Sequence, residues 1–337
     1  MRGIGHVRRN PELSVLEICA GAGGQSSGLE AAGFSHRLAV EIDRDAAATL
    51  RLNRPSWHVH EGDVRDISGR DHRGIDLLVG GVPCPPFSIA GRQLGADDER
   101  DLFPEAIRLV REARPSAVML ENVKGLASAR FAPYRQSILA ALDTMGYDAD
   151  WQLLNSSEFG VPQLRPRFIL VAMRRRSRRR FEWPRACGTP PTVGEVLGPL
   201  MGSRGWRGAE AWARRANSIA PTLVGGSKKH GGADLGPTRA KQAWLALGVD
   251  GKGIADAAPA ADTPVDHIPR LTNQMTARLQ GFDPAWEFAG RKTSVYRQIG
   301  NAFPPPAAEA IGRSVAEALG AVPSWGTGTG GRLRAVS

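Results

Sequence analysis

The stretch GGVPCPPFS, from Gly80 to Ser88, sets one thiol, Cys84, among three prolines at the end of an apolar run. Proline fixes φ and has no N–H, so this loop is stiff. A cysteine is a nucleophile only as its thiolate, which nearby positive charge or a helix terminus favours. A rigid frame at the end of a strand suits a covalent nucleophile better than a small packing residue. Glu121 ends a second apolar run, SAVMLENV. If the two runs are strands of one sheet, Cys84 and Glu121 stand at strand ends over a common cleft. A carboxyl group there can exchange protons with whatever the thiol attacks.

A second group of residues suits a nucleotide-like ligand. Gly21-Ala22-Gly23-Gly24 follows the apolar run SVLEICA, and glycines there allow a tight turn and close backbone approach. The dinucleotide fingerprint is broken, because Ser26 takes its third glycine position. Glu41 ends the next strand, about twenty residues on, where an acid can hold both ribose hydroxyls. Asp63 ends the third, where a carboxylate can accept from an adenine amino group. An adenosine-containing ligand that does not depend on a long phosphate fits, and S-adenosylmethionine is such a ligand.

The elements that must position these residues read as alternating strands and helices. Apolar strand runs fall at 14–20, 38–43, 75–81, 116–123 and 167–173, with a short one ending near 64. Helical spacing falls between them at 44–52, 102–115 and 131–147. That alternation predicts an α/β fold with a mostly parallel sheet. Beyond Met173 the texture becomes rich in Gly, Pro, Arg and Trp, which predicts a smaller domain of loops and short elements. Helical patterning returns from Arg270. We therefore expect an α/β domain over 1–180, a second, smaller domain over 181–270, further helices over 271–320, and a disordered Gly-rich tail over 321–337.

The net charge of +10 and sequence pI of about 10.2 favour a polyanionic partner. The run Arg174-Arg175-Arg176-Ser177-Arg178-Arg179-Arg180 and the spot Lys228-Lys229-His230 concentrate that charge. Trp206, Trp212 and Trp244 read as core of the smaller domain. Three well-separated cysteines with no CxxC pair argue against zinc and against a disulfide framework. No apolar stretch is long enough to span a bilayer, so no membrane partner is expected.

Taken together, these motifs resemble the DNA (cytosine-5)-methyltransferases, chiefly the bacterial ones, from about Val15 to Leu319. EICAGAGG, VEID, GDV, GGVPCPPFS, ENV, QLRPR (163–167), ANSIAPTLVGG (216–226) and QIGNAFPPP follow one another in the family's order. The ordered set is specific where each motif alone is not. The resemblance implies a Rossmann-like S-adenosylmethionine-dependent fold with a catalytic and cofactor-binding domain over 1–180, a second, smaller target-recognition domain over 181–270, and a C-terminal segment over 271–320 that completes the catalytic domain. It implies Cys84, Glu121, Arg165 and Arg167 as catalytic residues. Arg167 would contact the cytosine O2 oxygen, and Arg165 would support the same pocket or a phosphate. For the cofactor it implies Ala20, Gly21, Gly23, Gly24, Glu41, Ile42, Asp63, Val64, Pro83, Asn301 and Ala302. For DNA it implies Ser88, Arg174, Arg175, Arg176, Lys228 and Lys229.

The same resemblance implies no metal and methyl transfer from S-adenosylmethionine to C5 of a flipped-out cytosine through a covalent Cys84–C6 intermediate. It further implies double-stranded DNA as partner, a restriction–modification context with a separate nuclease, a monomer, and a cytoplasmic, nucleoid-associated location. Two other readings stand beside it: a tRNA cytosine-5 methyltransferase, and a catalytically inactive DNA-binding protein on the same fold. Two departures are visible. Glu17-Ile18-Cys19 stands where the family usually has Asp-Leu-Phe, and Ile42 where an aromatic is common. The stretch 226–253 is extra sequence after the ninth motif and is expected to share DNA recognition.

Overall fold

The computed structural model describes residues 12–83, 101–225 and 233–321. Cys84, Ser88, Lys228, Lys229 and the tail beyond 321 lie outside the described residues. A seven-stranded sheet runs in the order β3-β2-β1-β4-β5-β7-β6. Its strands are β1 (Leu13–Ile18), β2 (Phe34–Glu41), β3 (Val59–Glu61), β4 (Leu77–Gly81), β5 (Ala117–Val123), β6 (Tyr147–Asn155) and β7 (Pro166–Arg174). The first five are parallel, while β7 runs antiparallel to both its neighbours.

Both faces of the sheet are buried, which is why its central strands are nearly continuous apolar runs. Leu16, Ile18, Leu78, Val118, Leu120 and Leu170 turn to one face. There they meet α3 (Phe103–Ala113) and α4 (Ala132–Thr144). Val15, Leu77, Val79, Met119, Ile169 and Val171 turn to the other, the period of two that a strand imposes. That face is covered by α1 (Gly24–Ala31) and α11 (Pro305–Leu319). Between β2 and β3 lies α2 (Arg44–Asn53), capped by the Asp43 carboxylate, which accepts from Asp45 and Ala46 N–H.

Beyond β7, a short α5 (Arg175–Arg178) leads into a loop and then into a third core. The helices there are α6 (Val193–Met201), α7 (Ala209–Arg215) and α8 (Thr238–Ala246). Trp206, Trp212 and Trp244 are buried in it, as the sequence led us to expect. The C-terminal segment is split between the two bodies. Residues of α9 (Asn273–Gln280) and Tyr296 of α10 (Lys292–Asn301) join the third core, whereas α11 packs on α1. Phe181 and Trp183 still belong to the large domain, so its core extends past residue 180.

Candidate active site

The parallel strands end on one edge of the sheet, and the site is built there. After β1, Cys19 takes a left-handed φ of 51°, rare for a residue with a Cβ. Gly21 and Gly23 follow, also at positive φ. At Gly23 the requirement is double: a Cβ there would lie 2.6 Å from the Trp286 ring. Trp286 also donates its indole N–H to Ala22 O at 3.1 Å. The turn is thus packed from beneath and its N–H groups lead into the start of α1, a favourable place for negative charge.

Glu41 closes the turn from the side. Its Oε2 accepts from Gly21 N at 2.7 Å and its Oε1 from Asp43 N at 2.7 Å. Burial raises the pKa of this carboxyl, and the N–H bonds from Asp43 and Gly21 pull the other way. Each oxygen keeps a further lone pair for a ligand hydroxyl. Asp63 caps a turn just after β3 and accepts from Arg65 N and from Arg65 Nη1, both at 2.9 Å. The Arg65 backbone N–H, with its guanidinium, holds the Asp63 carboxyl below its ordinary pKa.

A cavity of about 250 Å³ joins these residues to the second half of the site. Ala20, Gly21, Gly24 and Glu41 line it from the glycine turn, Asn301 and Ala302 from the end of α10, and Glu121 from β5. Ile42, Asp63, Val64, Gly23 and Pro83 do not line it. Ile42 is 70% exposed beside it, an apolar surface with no protein partner to cover it. Glu121 stands in register with Gly81 of β4, just ahead of Pro83. The Asn122 amide donates to Val82 O at 2.8 Å, and Leu102 N donates to Pro83 O at 3.1 Å. The backbone on either side of residues 84–101 is therefore anchored beside Glu121.

Arg167 reaches the same place because β7 runs backwards: the strand starts at the edge where β5 ends, and Arg167 pairs with Val123. Its Nε lies 2.6 Å from Glu121 Oε1, with the N–H turned off the line, so the contact is an ion pair rather than an aligned hydrogen bond. Arg165 is different. It is fully buried and donates to Leu223 O at 2.8 Å and Gly300 O at 2.7 Å. It has no surface for a phosphate; what it supports is the backbone around the cavity.

The arginine run is not brought to the site. Arg174 donates to Arg114 O ahead of β5, and Arg175 pairs with Asp143. The register from Val123↔Arg167 to Ala117↔Met173 sets this run at the opposite end of the strands, with Arg174 about 17 Å from Glu121 by strand rise. Arg174, Arg175 and Arg176 therefore do not face the cleft, and any phosphate they contact would lie away from it.

Several lining residues were not anticipated: Glu17, Cys19, Gln25, Arg297 and Gln298. Glu17 was legible as an acid inside an apolar strand. It is fully buried, accepts from Gln25 Nε2 at 3.0 Å, and lies 2.7 Å from His36 Nε2. Burial, with Glu41, Asp63 and Glu17 nearby, pushes the Cys19 thiol up to about 12, so it stays protonated and inert.

Residues 13–317 match the model of the C-5 cytosine-specific DNA methylases. The chain belongs to that family. It is a DNA (cytosine-5)-methyltransferase, and S-adenosylmethionine is the methyl donor that the family implies. Type II methyltransferase M.NaeI of Lentzea aerocolonigenes is 62% identical over 91% of this chain and 75% of its own length. Type II methyltransferase M.NgoMIV of Neisseria gonorrhoeae is 51% identical over 91% of this chain and 98% of its own. Among solved structures, a putative DNA modification methyltransferase of an E. coli prophage superposes with a TM-score of 0.64 at 24% identity, over 91% of this chain and 99% of that one. That likeness supports the Rossmann-like fold. Among the described residues no helix is long and apolar enough to cross a membrane, and no cluster of His, Cys, Asp and Glu could hold a metal.

Proposed function

We propose that the enzyme methylates cytosine C5 in a specific double-stranded DNA sequence, with the target base turned out of the helix and held covalently by Cys84. The observation that carries this reading is the meeting of Glu121, Arg167 and the glycine-turn cavity at one edge, beside the backbone that leads into Cys84. C5 of cytosine is a poor nucleophile. Addition of the Cys84 thiolate to C6 forms a C–S bond and moves the ring's electron pair toward C5. Glu121 holds N3 and the exocyclic amine as that charge develops, and Arg167 holds O2. S-adenosylmethionine, when bound, supplies the methyl group to C5. The C5 proton then leaves to a base, its electron pair restores the double bond, and the Cys84 thiolate departs. A base stacked in a duplex is out of reach, which is why extrusion is required.

The cavity fits the methyl donor: a carboxylate with free lone pairs for a ribose, N–H groups at the start of α1 for a carboxylate, and Asn301 near Glu121. Glu41, Gly21 and Asn301 would hold it, with Ile42 and Asp63 at its adenine end. Glu41→Ala is expected to weaken binding of S-adenosylhomocysteine by about ten- to a hundredfold, the loss of a charged hydrogen-bond acceptor. Calorimetry reads this directly, and unchanged affinity removes Glu41 from the site.

The relatives' names, type II methyltransferases, support a restriction–modification context for this chain; a separate nuclease and a monomeric, cytoplasmic enzyme are part of the same proposal. The third core, over about 192–270, would read the sequence. A duplex bearing 5-fluorocytosine at the target tests the chemistry, because a C5 fluorine cannot leave as a proton does. A stable adduct should form only with the methyl donor present and should map by mass spectrometry to Cys84. An adduct on Cys19 or Cys187 would refute the mechanism.

A further inference from the structure

Two fully buried glutamines and one fully buried arginine join the third core to the cofactor cavity. Gln163, which pairs as an isolated bridge with Ala220, accepts at Oε1 from Leu223 N at 2.8 Å and from Arg165 Nη1 at 3.4 Å. Its Nε2 donates to Leu279 O at 3.2 Å and to Gln280 Oε1 at 2.7 Å. Gln280 Nε2 in turn donates to Ala302 O. Both amides are oriented without ambiguity, because turning either one would set donor against donor and acceptor against acceptor. Arg165 adds a parallel link from Leu223 O to Gly300 O.

The two ends of this chain belong to different bodies. Leu223 lies in the third core, and Ala302 lines the cofactor cavity. Between them the backbones touch: a Cβ on Gly300 would lie 2.5 Å from Gly225 Cα, and one on Gly225 would lie 2.7 Å from Arg297 O, so the two segments leave no room to move closer. Hydrogen bonds in so dry a place have no water to replace them, and the network acts as a unit. A ligand that fixes Asn301 and Ala302 thereby fixes the position of Leu223.

We propose that Gln280 is a positioning residue that couples the two substrates: through Gln163 it ties the third core to Ala302, so that cofactor binding and DNA binding strengthen one another. The inference rests on the function proposed above. Coupling of this kind is reciprocal, each ligand raising the other's affinity by the same factor.

The test uses S-adenosylhomocysteine, which cannot react, and the duplex that the wild-type enzyme methylates best. Calorimetry on the wild type should show S-adenosylhomocysteine binding about tenfold tighter with DNA saturated than without it. Gln280→Met keeps the volume but loses both the acceptor toward Gln163 and the donor to Ala302. It should bring the factor to within about twofold of unity, raise the cofactor KM, and leave kcat at saturating cofactor within about threefold. The melting temperature of the same samples separates lost coupling from lost fold. If Gln280→Met does not fold, Gln163→Met takes its place with the same expectation. A wild type without coupling, or a variant that retains it, overturns the proposal. A wild type that binds neither probe overturns the functional reading as well.

Discussion

Cys84→Ala is expected to lower methyl transfer by at least about four orders of magnitude, the scale on which enzymes lose rate with their covalent nucleophile. The loss should fall on turnover alone. DNA and S-adenosylhomocysteine should bind this variant as they bind the wild type, because the thiolate adds to C6 only after the ligands are in place. No other thiol near the cavity can stand in. Cys19 lines it, but burial and three neighbouring carboxylates keep that thiol protonated, at about 12. Cys187 is exposed, on a loop whose N–H donates to Glu158 O. Radiolabel transfer from the methyl donor into duplex DNA measures the rate, and electrophoresis of the 5-fluorocytosine complex measures the bond. Residual turnover within tenfold of wild type would transfer the nucleophile's role to another group.

Glu121→Gln should cost about two to four orders of magnitude in turnover, in the range of general acid–base effects. The amide matches the carboxylate in size but cannot take up a proton and cannot neutralise Arg167, whose Nε lies 2.6 Å from Glu121 Oε1. Arg167 would then keep its charge in a nearly buried place without its partner. Two readouts are expected to diverge: a slow covalent step, and DNA binding close to wild type. Single-turnover kinetics resolve them, and a near-normal rate of adduct formation would make Glu121 a structural acid.

The parts of this fold that were legible in the sequence are those where local pattern and tertiary environment agree. β1, β4, β5 and β7 are buried on both faces, so their apolar runs are long and unbroken. β6 was not recognised. Its sequence, YDADWQLLN, alternates acids with apolar residues because it is the edge strand, partly exposed along its length. The direction of β7 was equally hidden, since an apolar run looks the same in either sense. That one unknown decided where the arginine run lies: its composition suggested DNA, and only the antiparallel pairing shows that it sits at the edge away from Glu121. In the site, the glycine turn, Glu41 and Glu121 were readable as residue types at strand ends. Gln280 and Arg297 were not, because they come from helices far along the chain and carry no signal until α9 and α10 fold back. The tryptophans of the third core were assigned correctly because a large ring in a Gly- and Pro-rich stretch has few other places to go.

The reversed β7 leaves the chain at the edge away from the chemistry, so it must climb back to reach the cleft. It does so along β6: Trp183 donates to Asp150 Oδ2 at 3.4 Å midway up that strand, and Cys187 N donates to Glu158 O at 2.8 Å near its top. Only then does α6 begin, capped by Thr192. The third core is thus suspended from an external strap and returns at α9, with no described part of it threaded through the sheet. Between those two points the third core meets the catalytic body at a narrow seat: Gln163 and Arg165 hold Leu223, the bridge to Gln163 holds Ala220, and Gly225 lies against Asn301. If this body reads the DNA, as proposed above, a change of target has to keep that seat while the rest of the body is exchanged.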